Sequence, residues 1–419
     1  VTDQRRLTVV GLGYVGLPLV MEAVRAGLRV HGLDRDDTRV AGLAEGRSHV
    51  DDITDEQVAQ ALADGFVPTT DPGCLACADV VIICVPTPLR DGVPDLDAVR
   101  AATEQIALTV RPGTLVVLES TSYPGTTTEV LLPMLEREGL QVGRDFHLAY
   151  SPERIDPGNR EFSLRNTPKV VGGVTPACSE AAVRFYELLA DRVVPVSSPS
   201  VAEMSKLLEN TYRQVNIALV NEMAVFCHEL GIDLWEAIDA AATKPFGFHP
   251  FRPGPGVGGH CIPIDPNYLS HRVRSLGYPF RFVELAQEIN GRMPAFVADR
   301  VIRLLNEDGL ALRGSRVLLL GVTYKADIAD DRESPSLVVA ERLRALGAEL
   351  SYHDPFVPEW HVAGERLVRV PDLITAVSEA KLTVVLQHHR HYDLDEIAKH
   401  ARRVLDTRGR ADGANVTRL

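Results

Sequence analysis

With 419 residues the chain is long enough for two or three domains, each with a substantial core. Its 45% hydrophobic and 24% charged content is that of an ordinary globular protein. A formal net charge of −13, from 44 basic against 57 acidic residues, argues against general affinity for nucleic acid. Anionic ligands must therefore meet local basic groups. The six cysteines (Cys74, Cys77, Cys84, Cys178, Cys227 and Cys261) are sparse and unevenly spaced, unlike a disulfide framework, which predicts a reducing cytoplasm. Leu7 to Met21, the longest uncharged apolar stretch, is too short and glycine-rich to span a membrane and lacks a secretory cleavage pattern.

In chain order, Leu7–Gly11 reads as a short strand, followed by a glycine turn and a helix from about Tyr14 to Ala26. Leu28–Leu33 is the next strand and ends at Asp34. The acidic run from Asp51 to Glu56 reads as a solvated loop and helix start. Cys74 and Cys77 have redox or half-zinc spacing, but without a second Cys/His pair nearby they read as small residues on a short helix. Val80–Val85 is a buried strand bounded by Pro86-Thr87-Pro88. A helix over Asp97–Val110 and strands at Leu115–Leu118, His147–Tyr150 and Lys169–Val171 follow. Strands alternating with helices predict a parallel sheet covered on both faces, extending to about Val196.

From Ser200 to Leu230 there is no proline, and Leu207, Leu208, Val215, Leu219, Met223 and Phe226 recur at roughly helical spacing. This predicts one long helix connecting domains and packing against a partner. Helices at Leu234–Ala242 and Phe282–Asn306 follow, the second with Pro294 expected to kink or interrupt it. A second α/β pattern starts at Ser315, with strands at Arg316–Leu320, Glu349–His353, Leu382–Leu386 and Arg403–Leu405 and a helix over Pro335–Leu346. The expected fold class is α/β, with two Rossmann-like parallel-sheet domains joined by a long central helix and a helical dimerisation region. The predicted domains are 1–196, 197–308 and 309–419.

Several motifs bear on chemistry. Gly11-x-Gly13-x-x-Gly16 follows a strand and opens a helix; its glycines permit a tight turn and close approach of a pyrophosphate to the helix N-terminus. Asp34 ends the next strand, where a carboxylate accepts hydrogen bonds from an adenosine ribose, so NAD is preferred to NADP. Arg35 either pairs with a 2′-phosphate or packs against adenine. Pro86-Thr87-Pro88 and Glu119-Ser120-Thr121 follow strand ends on the cofactor side. Ser151-Pro-Glu153-Arg154 forms a second polar cluster after a strand, in which Glu153 activates water, binds substrate, or simply pairs with Arg154. Lys206 and Asn210, four apart, share one helical face.

The glycine-dense segment from Arg252 to Asp265 carries Cys261 after Gly254, Gly256, Gly258 and Gly259, where a thiol can be approached closely for covalent attack. No compact ligand set accompanies His260, so no metal is expected. In the second α/β unit, Lys325 and Arg332 contact anionic substrate or cofactor groups, or form salt bridges with Asp327, Asp330 or Asp331.

Together these motifs resemble the nucleotide-sugar 6-dehydrogenase family of UDP-glucose, UDP-N-acetylhexosamine and GDP-mannose dehydrogenases. The resemblance covers nearly the whole chain. It rests on Val9–Gly16 with Leu17-Pro18, Val85–Pro88, Glu119–Thr121, Ser151–Glu153, Lys206 with Asn210, Gly258–Asp265, and Tyr324-Lys325 with Asp331–Pro335. It implies an N-terminal NAD domain contacting the cofactor through Gly11, Gly13, Tyr14, Val15, Gly16, Asp34, Arg35, Pro86, Thr87, Thr121 and Arg332. It also implies two successive oxidations at sugar C6, alcohol to aldehyde to acid.

By the same resemblance Cys261 adds to the aldehyde, giving a thiohemiacetal and then a thioester. Lys206 and Asp265 handle protons and the oxyanion, Thr121 positions water, Glu153 assists hydrolysis, and Asn210 places the sugar. Glu153, Arg154, Lys206, Asn210, Phe251, Arg252, Gly258 and Lys325 are the implied substrate contacts, with Arg252 reaching across a homodimer. Ile264 stands where the UDP-glucose branch usually has lysine. With His260 and the run 153–159, it resembles the UDP-N-acetylglucosamine branch. A dTDP-glucose enzyme, a single-step β-hydroxyacid-type dehydrogenase and a non-enzymatic nucleotide-binding scaffold are the competing readings. Cys261 separates the family from the single-step class, which has no need of it.

Overall fold

Strand β1 (Arg6–Val10) is buried from Leu7 onward and pairs in parallel with β2 (Arg29–Leu33) on one side and β4 (Val80–Ile83) on the other. β3 (Phe66–Thr69), β5 (Leu115–Leu118), β6 (His147–Tyr150), β7 (Lys169–Gly173) and β8 (Val193–Val196) complete a sheet of order β8-β7-β6-β5-β4-β1-β2-β3. Strand order therefore reverses between β1 and β4, the place where such sheets open a ligand crevice beyond their carboxyl ends. The first turn exploits this. Gly11 has φ +95°, and a Cβ there would lie 2.6 Å from the Cys84 carbonyl oxygen, so only glycine lets the two strand ends approach. Helix α1 (Gly16–Arg25) follows at once.

These coordinates are a computed structural model describing residues 5–50, 52–90, 92–136, 139–155, 158–159, 161–259 and 262–419. The chain divides into two compact units: Val1–Glu209 with Asn267–Pro279, and Asn210–Pro266 with Phe280–Leu419. The first sheet departs from the expected uniform direction. β7 runs antiparallel to β6, with Ala149 opposite Gly173. The described residues of 151–168 form no helix to cross over with, and the chain returns along the neighbouring strand. The return places Lys169, the first residue of β7, near the carboxyl end of β6.

In the second unit, β9 (Arg316–Leu320), β10 (Glu349–His353), β13 (Leu382–Val385), β14 (Val404–Asp406) and β15 (Val416–Arg418) form a parallel sheet of order β10-β9-β13-β14-β15. β11 (Glu359–Val362) and β12 (Glu365–Val368) make a separate antiparallel hairpin. The sheet packs with Val220, Ala224, Leu234, Trp235, Val297 and Val301 in one apolar core. The helix over Arg281–Glu307 continues through Pro294 rather than ending there.

The two sheets repeat one device. The Leu12 amide donates to Asp34 Oδ2 at 2.8 Å, and the Val322 amide donates to Asp354 Oδ2 at 2.8 Å, each after a strand and a positive-φ glycine. The C-terminal half thus echoes the N-terminal one in its turn geometry, beyond the shared Val-Val-Gly and Leu-Leu-Gly sequences.

Helix α2 (Pro199–Leu230) is the expected long helix, and three of its six regularly spaced apolar residues face outward. Leu207 is buried, whereas Leu208, Leu219 and Phe226 are 59%, 53% and 46% exposed. Besides Leu207, Val220 and Cys227, the covered face is small or polar: Ala202, Glu203, Lys206, Thr211, Gln214, Ala218, Asn221 and Ala224. Glu203 has no exposure and accepts from the Gly125 amide (2.6 Å), the Thr127 amide (2.9 Å) and the Thr127 hydroxyl (2.7 Å). Replacing Glu203 with alanine strands two buried amides and should destabilise the fold by about 3 kcal/mol, read as a lowered urea midpoint, with Glu203→Gln milder.

Candidate active site

The glycine turn and Asp34 stand at the crevice of the first unit. A Cβ at Gly16 would collide with the Gly11 carbonyl, so α1 lies tight against the turn, whereas a Cβ at Gly13 would meet nothing within 4 Å. An open Gly13 beside a helix start is what an approaching pyrophosphate requires. Tyr14 is exposed and Val15 half-buried along the same turn. Asp34 is buried: Oδ1 accepts from the Asp36 amide at 3.0 Å, and Oδ2 accepts from the Leu12 amide and from Arg39 Nη1, both at 2.8 Å. Burial pushes the carboxyl up, but these donors outweigh it and hold it below the usual carboxylate range. Arg35 is exposed, and Arg39 is the arginine that reaches Asp34. On the far side of the crevice, the Thr87 carbonyl accepts from the buried Tyr268 hydroxyl, and Ser120 Oγ donates to Val85 O at 2.8 Å. Thr121 is half-buried next to Ser120.

Deeper in the same unit lies a buried charge cluster. Lys169 Nζ is 3.1 Å from Glu119 Oε1 and 3.3 Å from Glu153 Oε2, with all three side chains at most 10% exposed. The Tyr186 hydroxyl donates to Glu119, the Ile155 amide donates to Glu153 Oε1 at 2.5 Å, and Cys84 is buried nearby. Burial works against charge on Lys169, but the two carboxylates outweigh it and push the ammonium up to about 12. Burial raises the Glu119 carboxyl, with Lys169 opposing. The Cys84 thiol is also pushed up by burial, and by Glu119 after it. Lys206 Nζ, from α2, donates to the backbone oxygen of Glu153 at 2.7 Å. Pairing of Glu153 with Arg154 is not seen; Arg154 instead pairs with Glu209 at 2.8 Å.

In the second unit, Asn210 Nδ2 donates to Asp265 Oδ2 at 2.5 Å, joining two predicted residues 55 positions apart. The ring of Phe251 meets those of Tyr212 at 5.6 Å and His249 at 5.1 Å. Arg252 pairs with Asp239. A Cβ at Gly258 would lie 2.6 Å from the Glu333 carbonyl oxygen, and one at Gly259 2.6 Å from the Tyr324 ring. The glycines thus let the 254–259 segment close against the 324–335 loop. That loop carries Lys325, half-buried, and Arg332, which is exposed and bonds Asp330 through Nε (2.8 Å) and Nη2 (2.7 Å). The expected nucleophile Cys261 and its neighbour His260 lie outside the described residues.

Three models of one protein family match the chain in succession. The NAD binding domain of the UDP-glucose/GDP-mannose dehydrogenase family matches residues 5–190, its central domain 200–292 and its UDP binding domain 318–418. The chain belongs to the UDP-glucose/GDP-mannose dehydrogenase family. It is 37% identical to the UDP-N-acetyl-D-glucosamine 6-dehydrogenase of Pseudomonas aeruginosa, over 84% of this chain and 83% of that one. It is 35% identical to the NDP-N-acetyl-D-galactosaminuronic acid dehydrogenase of Ralstonia nicotianae, over 97% and 96%. The solved structure of the UDP-D-ManNAc dehydrogenase of Pyrococcus horikoshii superimposes with TM-score 0.89 at 32% identity, covering 99% of each chain.

This member of the family is therefore an NAD-dependent nucleotide-sugar dehydrogenase, and the turn at 11–16 with Asp34 fits that cofactor. Four residues of the crevice and its buried cluster escape a motif reading: Lys169, Tyr186, Arg39 and Tyr268. Lys169 sits in an otherwise apolar strand, Lys169-Val-Val-Gly-Gly, and a lone charge at a strand start was the available signal. Among the described residues, no group of three or more His, Cys, Asp or Glu could hold a metal ion. Asp34→Ala should release Arg39 and weaken NADH binding by about tenfold or more, as expected for loss of charge-assisted hydrogen bonds, measured by nicotinamide fluorescence titration.

Proposed function

We propose that the chain oxidises the C6 alcohol of a UDP-N-acetylhexosamine to the carboxylate in two hydride transfers, with Cys261 as covalent nucleophile. The observation that carries this reading is the buried Lys206 ammonium held on the Glu153 carbonyl at 2.7 Å. One of its three N–H donors is used there, which leaves donors for a substrate oxygen. NAD, when bound, accepts the hydride of each oxidation. The first oxidation removes the C6 hydride and the hydroxyl proton, leaving an aldehyde. The Cys261 thiolate adds to its carbon, giving a thiohemiacetal whose oxygen Lys206 stabilises. Loss of the second hydride gives a thioester, which water, positioned by Thr121 and aided by Glu153, hydrolyses to carboxylate and free thiol. Asp265 takes up and returns protons, oriented by its bond to Asn210.

In this reading 1–196 binds NAD, 197–308 carries the cysteine loop and the dimer contacts, and 309–419 binds the nucleotide. Phe251, Arg252, Gly258 and Lys325 contact the sugar nucleotide. The N-acetylhexosamine assignment follows the names of the relatives and Ile264 in place of the lysine of the UDP-glucose branch. NADH formation should be greatest with UDP-N-acetylglucosamine or UDP-N-acetylmannosamine, against UDP-glucose, dTDP-glucose and GDP-mannose. Two NADH per uronate are expected; a ratio of one would favour a single-step dehydrogenase. Cys261→Ser should abolish uronate release while leaving NADH and nucleotide-sugar binding within about twofold, measured by calorimetry and product analysis.

A homodimer completes the proposal. Leu208, Tyr212, Leu219, Phe226 and Leu230, all at least 46% exposed, fall within about 40° of arc on α2 at helical spacing. An apolar stripe of this kind marks an association surface. Leu219→Glu with Phe226→Glu should shift the protein to monomer in sedimentation velocity. The free state of Cys74, Cys77, Cys84, Cys178 and Cys227 supports a reducing, cytoplasmic setting, and no described helix is long and apolar enough to cross a membrane.

A further inference from the structure

We propose that Lys169, braced by Glu119 and Tyr186, is a positioning residue for the reaction, fixing the Glu153 carboxylate and, through the same residue's carbonyl, the Lys206 ammonium. The inference rests on Glu153 and Lys206 serving the reaction as set out above, and its residues all lie within the first unit.

The chain of contacts is continuous. The Tyr186 hydroxyl donates to Glu119 Oε1, the same oxygen that receives Lys169 Nζ at 3.1 Å. Lys169 Nζ reaches Glu153 Oε2 at 3.3 Å and sits 5.2 Å from the centroid of the Tyr186 ring. The other oxygen of Glu153 is held by the Ile155 amide at 2.5 Å, so both carboxylate oxygens are tied. With its carboxylate tied at both oxygens, the residue's own carbonyl faces Lys206 Nζ at 2.7 Å.

A lysine this enclosed is costly to bury and is kept only where partners repay it. One carboxylate would suffice for charge balance. The second makes Lys169 the shared partner of two carboxylates, and Glu119 Oε2 is buried with no hydrogen-bond partner among the described residues. Lys169 is thus the cation that lets two buried carboxylates stand within 3.3 Å of one nitrogen. The titratable groups facing the cluster are Cys84 after β4, Glu119 after β5, Glu153 after β6, Lys169 on β7, Tyr186 on the helix Pro176–Tyr186 and Lys206 on α2.

Removing the cation leaves Glu119 and Glu153 facing each other in low dielectric, where two carboxylates do not both stay ionised near neutral pH. Lys169→Met should therefore move the acid limb of the kcat profile with UDP-N-acetylglucosamine and NAD upward by about one pH unit. It should also lower kcat by about tenfold or more while leaving the nucleotide-sugar KM within about twofold. Adding Glu119→Gln to Lys169→Met removes the like charge and should return the limb toward its wild-type position. Should Lys169→Met fail to fold, Tyr186→Phe, which withdraws one donor from Glu119 and so favours its neutral form, tests the same idea from the other side: it relieves the like charge facing Glu153 and should move the limb downward by a smaller amount. Folded variants whose kcat falls with an unmoved acid limb would overturn the inference, because a merely structural lysine changes the active fraction and not the profile. Glu153→Gln separates the two layers. Full uronate production by that variant sinks the role of Glu153 itself, whereas loss of hydrolysis there with an unmoved limb in the Lys169 and Tyr186 variants sinks only the bracing.

Discussion

A single ammonium group, Lys169 Nζ, stands between two carboxylates in a part of the first unit that water does not reach. Its position depends on the direction of one strand. Because β7 returns antiparallel to β6, the first residue of β7 lies beside the carboxyl end of the sheet, where Glu119 and Glu153 follow β5 and β6. A helical crossover at that point would have carried Lys169 to the opposite edge. The polar interior of the crevice therefore follows from topology as much as from composition. Glu203 performs a comparable service for α2, satisfying two amides of the 125–127 turn and so tying the helix that presents Lys206.

What could be read from the chain alone was whatever is local. The Gly11–Gly16 turn and Asp34 act over one βαβ step, and the geometry at Gly11 follows from a φ that side chains avoid. Lys206 and Asn210 fell on one helix as their spacing required. Lys169, Tyr186 and Arg39 were not legible. A lysine heading an apolar strand acquires meaning only when two carboxylates 50 and 16 positions before it are brought alongside. Arg35 adjoins Asp34 in sequence, yet Arg39, one helical turn further on, is the residue whose reach matches.

The apolar pattern of α2 shows what periodicity alone leaves open. Leu208, Leu219 and Phe226 follow helical spacing faithfully, but spacing says that a face is shared and not what covers it. In this helix the covered face combines Leu207, Val220 and Cys227 with alanines and polar groups such as Asn221, whose amide bonds Asn290 at 2.9 Å and whose oxygen accepts from the Gly254 amide at 2.9 Å. A mostly small or polar interior face suits a helix that must pass close to backbone, and Leu208, Leu219 and Phe226 are left to the outside.

The paired Asp34 and Asp354 braces have a broader implication. In one sheet the carboxylate meets Arg39, and in the other it meets His389 Nε2 at 3.0 Å while His389 Nδ1 accepts the Asp327 amide at 2.9 Å. The two copies thus meet their carboxylate with different partners, a guanidinium in one and an imidazole in the other, on an almost identical scaffold. An acidic residue closing the second strand is thus first a splint for the glycine turn. Whether it also greets a ribose is decided by its neighbours, and a lone aspartate at that spot is a weaker advertisement for dinucleotide than its reputation suggests.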